Sequence, residues 1–115
     1  MNWSMKQQAL CARFDAVWTP PSDFDKIGVA ATVNSTALPL HGLRHLPANG
    51  TSGWYLWTGP EPLSTAADYF LPIHTIHMVD WRPIVVPYLG LPPGWRLLLH
   101  DDYEDVWFDE SLLVP

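Results

Sequence analysis

The first eighteen residues place apolar side chains at helical spacing. Successive apolar positions lie four, three and one residues apart, which aligns them on one face of a helix. These positions are Leu10, Phe14, Val17 and Trp18. Ser4 and Gln7 fit a capping box at the start, and Pro20 prevents continuation at the end. The pattern therefore predicts a helix over residues 5–18.

Further along, the apolar pattern changes to the alternation typical of strands. Residues 27–34 alternate Ile, Val, Ala and Val with small or polar side chains, and residues 53–58 are rich in aromatic strand formers. Residues 34–53 between them are predicted to be a long connection.

A second pair of strands is predicted near the C-terminus. Residues 95–100 and 104–109 alternate around a turn at Asp101 and Asp102, as a hairpin does. On residues 95–100, Leu97 and Leu99 share one side. On residues 104–109 the pattern turns Val106 and Phe108 inward, and Asp105, Trp107 and Asp109 outward.

The segment between the two strand pairs predicts short helices. Ser64 or Thr65 is placed to start one that runs through Phe70 and is broken at Pro72. Ile73, Ile76 and His77 would then share a helical face. Another short helix is predicted to begin at Pro83 and to end at Gly90 as a left-handed residue. The predicted fold is α+β, a single domain with a mainly antiparallel sheet on which an N-terminal helix and short helices pack.

Composition supports one folded domain. The chain has 115 residues, of which 48% are hydrophobic and 16% charged, against about 25% charged in an ordinary domain. Its 12 prolines disfavour a helical bundle, and its single cysteine excludes an internal disulfide. No secretory signal or bilayer-spanning stretch is recognisable, so we expect a cytoplasmic protein without membrane contact.

The negative charge is concentrated near the C-terminus. The chain has 12 acidic and 6 basic side chains, a formal net charge of −6. Residues 101–110 hold six of the acids and no base. This balance argues against nucleic-acid binding and favours a basic partner, because complementary potentials accelerate encounter. The alternative is a solvated acidic loop that only improves solubility.

Three candidate catalytic sites are indicated by residue type. His74 and His77, with Asp80 nearby, have the chemistry of metal ligands but lack the glutamate of a metalloprotease helix. Cys11 lies within the predicted helix, where an inert packed thiol is expected. Asp105 and Asp109 project from the same side of a strand, but their acidic neighbours indicate an exposed patch. We therefore expect no enzyme activity, no metal and no cofactor.

The tryptophans suggest surfaces for recognition. Trp54 and Trp57 are three positions apart on a predicted strand, so they face opposite sides, and this allows one to be core and the other exposed. Trp107 shares its predicted face with acids, as an interface anchor within a charged rim would. A covering second layer is the alternative for Trp107.

Four segments of the chain are distinctive: residues 42–45, 52–59, 88–96 and 102–113. They resemble small bacterial immunity-protein-like domains of polymorphic toxin systems. The resemblance implies a cytoplasmic inhibitor that binds and neutralises a cognate toxin, and it brings no catalytic residues. The expected toxin-binding residues are Asp101, Asp102, Tyr103, Glu104, Asp105, Trp107 and Asp109, which suit a basic toxin. A monomer and a homodimer both remain open.

Two functions of other classes remain as alternatives. Trp54, Tyr55 and Trp57 would provide a stacking surface for a proline-rich peptide or a glycan. His74, His77 and Asp80 would serve a small metal-dependent hydrolase.

Overall fold

The computed structural model describes residues 2–59 and 69–114. Its α-helices are α1 (Trp3–Arg13) and α2 (Met78–Trp81). Its strands are β1 (Lys26–Ala30), β2 (Leu40–Arg44), β3 (Thr51–Thr58), β4 (Phe70–His74), β5 (Trp95–His100) and β6 (Tyr103–Phe108). Short 3₁₀ segments cover Ala31–Val33, Thr75–His77, Pro83–Gly90 and Glu110–Leu113.

The six strands form one sheet in the order β4-β1-β3-β2-β5-β6. Strands β1 and β3 are parallel, and the other four neighbouring pairs are antiparallel. The predicted α+β class with a mainly antiparallel sheet and an N-terminal helix is confirmed. The sheet leaves β4 and β6 as its two edges.

Helix α1 differs from its prediction at both ends. Asn2, rather than Ser4, is the N-cap, and its side chain accepts a hydrogen bond from Met5 N at 3.1 Å. At the other end Asp15 adopts φ 56°, and Ala16 N bonds back to Cys11 O at 2.9 Å. This is a Schellman ending, so the chain leaves the helix before Val17 and Trp18.

Two strands were not predicted. Strand β2 lies in the segment expected to be a connection, and four of its five residues are buried. A strand buried on both sides lacks the polar alternation that reveals a surface strand. Strand β4 contains Pro72, which the sequence favours as a break, but an edge strand tolerates proline.

The predicted short helices are partly wrong. Phe70 begins β4 and Ile73 lies within it, so Ile73, Ile76 and His77 share no helical face. The expected helix start at Ser64 or Thr65 lies outside the described residues. Strand β1 ends at Ala30 rather than continuing to residue 34, because a 3₁₀ turn follows.

Pro83 does begin a helical segment, of the 3₁₀ type, which ends at Gly90. Gly90 is not left-handed. A Cβ at this position would lie 2.7 Å from Trp18 Cδ1, so the glycine permits close approach of that ring. The structural reason for Gly90 is thus a tertiary contact.

The core lies between the sheet and the helical layer formed by α1 and residues 83–90. Trp54 and Leu56 are fully buried on this helical face of the sheet, and Trp54 Nε1 donates to Leu89 O at 3.0 Å. Trp57 lies on the opposite, outer face, stacked on His41 at 5.0 Å, and it too is buried. The prediction that Trp54 and Trp57 face opposite sides is confirmed, but neither side chain is exposed.

Candidate partner-binding surface

The β5–β6 hairpin forms one edge of the sheet and closes through a turn at Asp101 and Asp102. Asp101 has φ 49°, a conformation that Asp tolerates better than most residues. Register along the hairpin pairs Arg96 with Trp107, Leu98 with Asp105 and His100 with Tyr103. Directly paired residues project from the same face, so these six side chains lie together on the outer face.

The structure brings most of the predicted binding residues together. Tyr103, Asp105 and Trp107 lie on the outer face, and Asp101 and Asp102 lie at the adjoining turn. We call these five residues the hairpin patch. Tyr103 is 55% exposed and Trp107 36% exposed, so both rings are available to a partner.

The Arg96 guanidinium packs against the ring of Trp107. It lies 5.5 Å from the centre of the Trp107 ring, and Arg96 Nη1 donates to Asp109 Oδ2 at 3.2 Å. The cation–π contact stabilises this position of the indole, and the ion pair with Asp109 helps to place the guanidinium. Arg96 was not among the predicted site residues. The cross-strand register was the signal that links it to Trp107.

The Asp109 carboxylate forms its hydrogen bonds within the protein. Its Oδ1 accepts hydrogen bonds from the backbone and hydroxyl of Ser111, at 3.0 and 2.6 Å, which caps the segment Glu110–Leu113. The hydrogen bonds from Ser111 and then from Arg96 lower the pKa of Asp109. Its carboxylate therefore positions the end of β6.

Glu104 points the other way, towards the helical layer. Arg13 Nη2 of α1 donates to Glu104 Oε1 at 2.6 Å, and the Tyr88 hydroxyl donates to Oε2. The hydrogen bond from Arg13 is the largest cause of the lowered pKa of Glu104, while burial chiefly raises the pKa of Tyr88. This cluster ties α1 and residues 83–90 to β6.

The remaining carboxylates of the hairpin are available for ion pairs with a partner protein. Within residues 2–59 and 69–114, Asp102 and Asp105 form no ion pair, and Asp101 approaches only His100, at 3.9 Å. Tyr103 Oη lies 3.5 Å from Asp105 Oδ2, a long contact that leaves most of that carboxylate unused. The hairpin patch thus combines uncompensated negative charge with two exposed aromatic rings.

The other predicted sites do not assemble in the described part of the chain. His74 and His77 have ring centroids 6.2 Å apart, and among residues 2–59 and 69–114 no three His, Cys, Asp or Glu side chains are grouped to hold a metal ion. Cys11 is buried, and burial raises the pKa of its thiol. No helix among these residues is long and apolar enough to cross a membrane.

Comparison with known proteins gives the family. Searches of curated proteins and of solved structures found no match to the chain. A family model described as "Imm33-like domain" matches residues 6–109, which include α1 from Lys6 onward, the six described strands and the whole hairpin patch. The match extends over most of the 115 residues, so the chain belongs to the Imm33-like family of immunity-protein domains.

Proposed function

We propose that this protein is an immunity protein that acts in the cytoplasm by binding a cognate toxin directly and so neutralising it. The observation that carries the proposal is the match to an immunity-protein family over residues 6–109. A protein of this kind needs a surface for its toxin rather than a catalytic centre.

We further propose that the hairpin patch makes the central contact with the toxin. Exposed Trp and Tyr side chains supply most of the energy in many interfaces, and carboxylates around them steer a basic partner. Glu104 and Asp109 support this contact indirectly, because they anchor β6 to α1 and to the C-terminal segment. The partner expected for this surface is a toxin with a basic face.

The experiment is co-expression with the product of the neighbouring gene, scored first by growth and then by co-purification. Rescue of growth and a stable complex are expected for the wild type. A variant that combines Asp102→Lys with Asp105→Lys should remain folded but associate about tenfold or more slowly and rescue poorly.

A matched control changes the same amount of charge elsewhere. Asp23 and Asp80 are exposed and lie outside the hairpin, so the variant with Asp23→Lys and Asp80→Lys should protect as the wild type does. Equal loss of protection in both variants would mean that overall charge, and not the hairpin patch, governs the interaction. Full protection by both would refute the patch as the contact.

A further inference from the structure

The edge of the sheet at β6 has features that suggest how a partner docks. Within the described residues, β6 pairs only with β5, and its other side faces no strand. The segment Glu110–Leu113 turns away from this edge, since Leu112 O lies 3.2 Å from His45 Nδ1 beyond the end of β2. The backbone edge of β6 is therefore uncovered along the part of the chain that is described.

Alternate residues of β6 direct their backbone groups to this edge. Residues that flank a two-residue hairpin loop exchange both hydrogen bonds, and bonded and non-bonded pairs then alternate. Asp109 N donates to Gly94 O at 2.7 Å, which continues the bonded series of Tyr103, Asp105 and Trp107. The N–H and C=O groups that point away from β5 are those of Glu104, Val106 and Phe108.

The two edges of the sheet are not equivalent. Strand β4 carries Pro72, which has no N–H and is a common way to prevent pairing at an edge. Strand β6 contains neither proline nor glycine over its six residues. It therefore keeps a full set of donors and acceptors for an added strand.

The side chains of β6 define what kind of strand can be added. On the outer face they are Tyr103, Asp105 and Trp107, which favour Lys or Arg. On the helical face they are Val106 and Phe108, beside Glu104, whose charge is already matched by Arg13. Because side chains alternate along a strand, the complement is an extended segment that alternates basic and apolar residues.

A second copy of this chain fits the edge poorly. Antiparallel pairing of two β6 strands centred on Asp105 would place the two Asp105 carboxylates directly across from one another, and like charges in that position are destabilising. The formal net charge of −6 per chain adds to the repulsion. The charges of β6 thus disfavour self-pairing and favour a basic strand.

From these observations we infer that the toxin adds an extended segment of alternating basic and apolar residues to the free edge of β6, as a seventh strand. This inference rests on the proposed function for the identity of the partner. The edge itself is tested separately with a peptide of alternating lysine and valine.

The test measures backbone amide hydrogen exchange of the intact protein. Binding of the lysine–valine peptide, and of the toxin, should slow exchange at Glu104, Val106 and Phe108 about tenfold or more, while the amides of β4 are unaffected. A peptide of alternating glutamate and valine is the control and should give no protection. Absence of protection by both the lysine–valine peptide and a bound toxin would overturn the inference.

A variant pair tests the same point by affinity. Val106→Pro removes an outward N–H without removing a donor from the β5–β6 ladder, whereas Val106→Ala shortens the side chain and keeps the N–H. Val106→Pro should weaken toxin binding about tenfold or more, and Val106→Ala less than about threefold. Amide exchange within β5 checks whether the Val106→Pro variant keeps the hairpin. If the variant loses the hairpin, the exchange measurements on the wild-type protein still test the inference.

The outcomes separate the two proposals. A toxin that binds with no change at the β6 edge amides, and equally well to Val106→Pro, refutes strand addition and leaves the immunity function standing. A lysine–valine peptide that protects the edge while the neighbouring gene product fails to bind supports the edge chemistry and refutes the assigned partner. A homodimer that Val106→Pro dissociates would show that the edge serves self-association and would overturn the inference.

Discussion

Substitution of Arg44 is the strongest single test of how the sheet and the helical layer are held together. Arg44 lies in β2 on the helical face and is only 3% exposed. Its Nε donates to Ser52 O at 3.0 Å, and its Nη1 donates to Thr19 O at 2.6 Å and to Leu91 O at 2.8 Å. One side chain thus joins the sheet to the segments that follow α1 and residues 83–90, and Arg44→Lys should loosen that junction.

The expected loss follows from the number of carbonyls left without this donor. Lysine ends in a single nitrogen, so it cannot occupy the Nε and Nη1 positions together, and at least one carbonyl loses its partner. Hydrogen bonds from a charged donor contribute about 1.5–3 kcal/mol each. Burial lowers the pKa of Arg44 to about 10, so this site already opposes a charge, and the more strongly hydrated ammonium is less favourable there. We expect Arg44→Lys to lower the free energy of unfolding by about 3 kcal/mol.

Urea denaturation followed by tryptophan fluorescence measures this loss. The Arg44 guanidinium lies 5.8 Å from the centre of the buried Trp54 ring, so the signal reports on the same region. About 3 kcal/mol corresponds to a fall in Tm of about 12 °C for a domain of this size.

Arg13→Lys is the matched control, because the Arg13 side chain is 57% exposed and solvent screens its ion pair with Glu104, so this substitution should cost much less stability. If Arg44→Lys cost no more than the control, the buried hydrogen bonds of Arg44 would not be what joins the layers.

Three further outcomes are expected from buried or clustered groups. Trp54→Phe should cost about 1–2 kcal/mol more than Trp57→Phe in urea denaturation, because only Trp54 Nε1 has an acceptor among the described residues; equal costs would contradict this. The hydrogen bonds that lower the pKa of Glu104 stabilise the fold when the pH is above the pKa of this carboxyl in the unfolded chain, near 4.5. This stabilisation is lost as the pH falls through the lower pKa of the folded state. The stability difference between wild type and Glu104→Gln should therefore shrink as the pH falls below about 4.5, and a constant difference would refute the assignment. Gly28→Ala should lower the unfolding free energy by about 1–3 kcal/mol, since a Cβ there would lie 2.6 Å from Tyr55 Cδ1, and an unchanged urea midpoint would show that the ring moves aside freely.

The β5–β6 hairpin was predicted from the sequence to within a residue. Its alternation, its two-residue turn and the face occupied by Trp107 and Asp105 are local properties, because each depends on neighbours in the chain. The α+β class and the existence of an N-terminal helix follow from similarly local periodicity. The candidate surface was therefore largely visible before any contact was known.

The features that were missed depend on distant partners. Strand β2 lies between β3 and β5, so its sequence pattern shows no polar side. It accommodates the charged Arg44 only because carbonyls 8 to 47 residues away in the chain accept hydrogen bonds from the guanidinium. Strand β4 accepts Pro72 because it is an edge, which no local pattern states.

Glu104 shows most clearly which properties the sequence determines and which ones the tertiary structure decides. The sequence alone determined that an acidic, aromatic hairpin exists and that its side chains alternate between two faces. Only the tertiary structure placed Arg13, 91 residues away in the chain, beside Glu104 and so separated this acid from its neighbours. Periodicity along a strand is set by backbone geometry within a few residues, whereas the partner of a charge is set by how the layers pack.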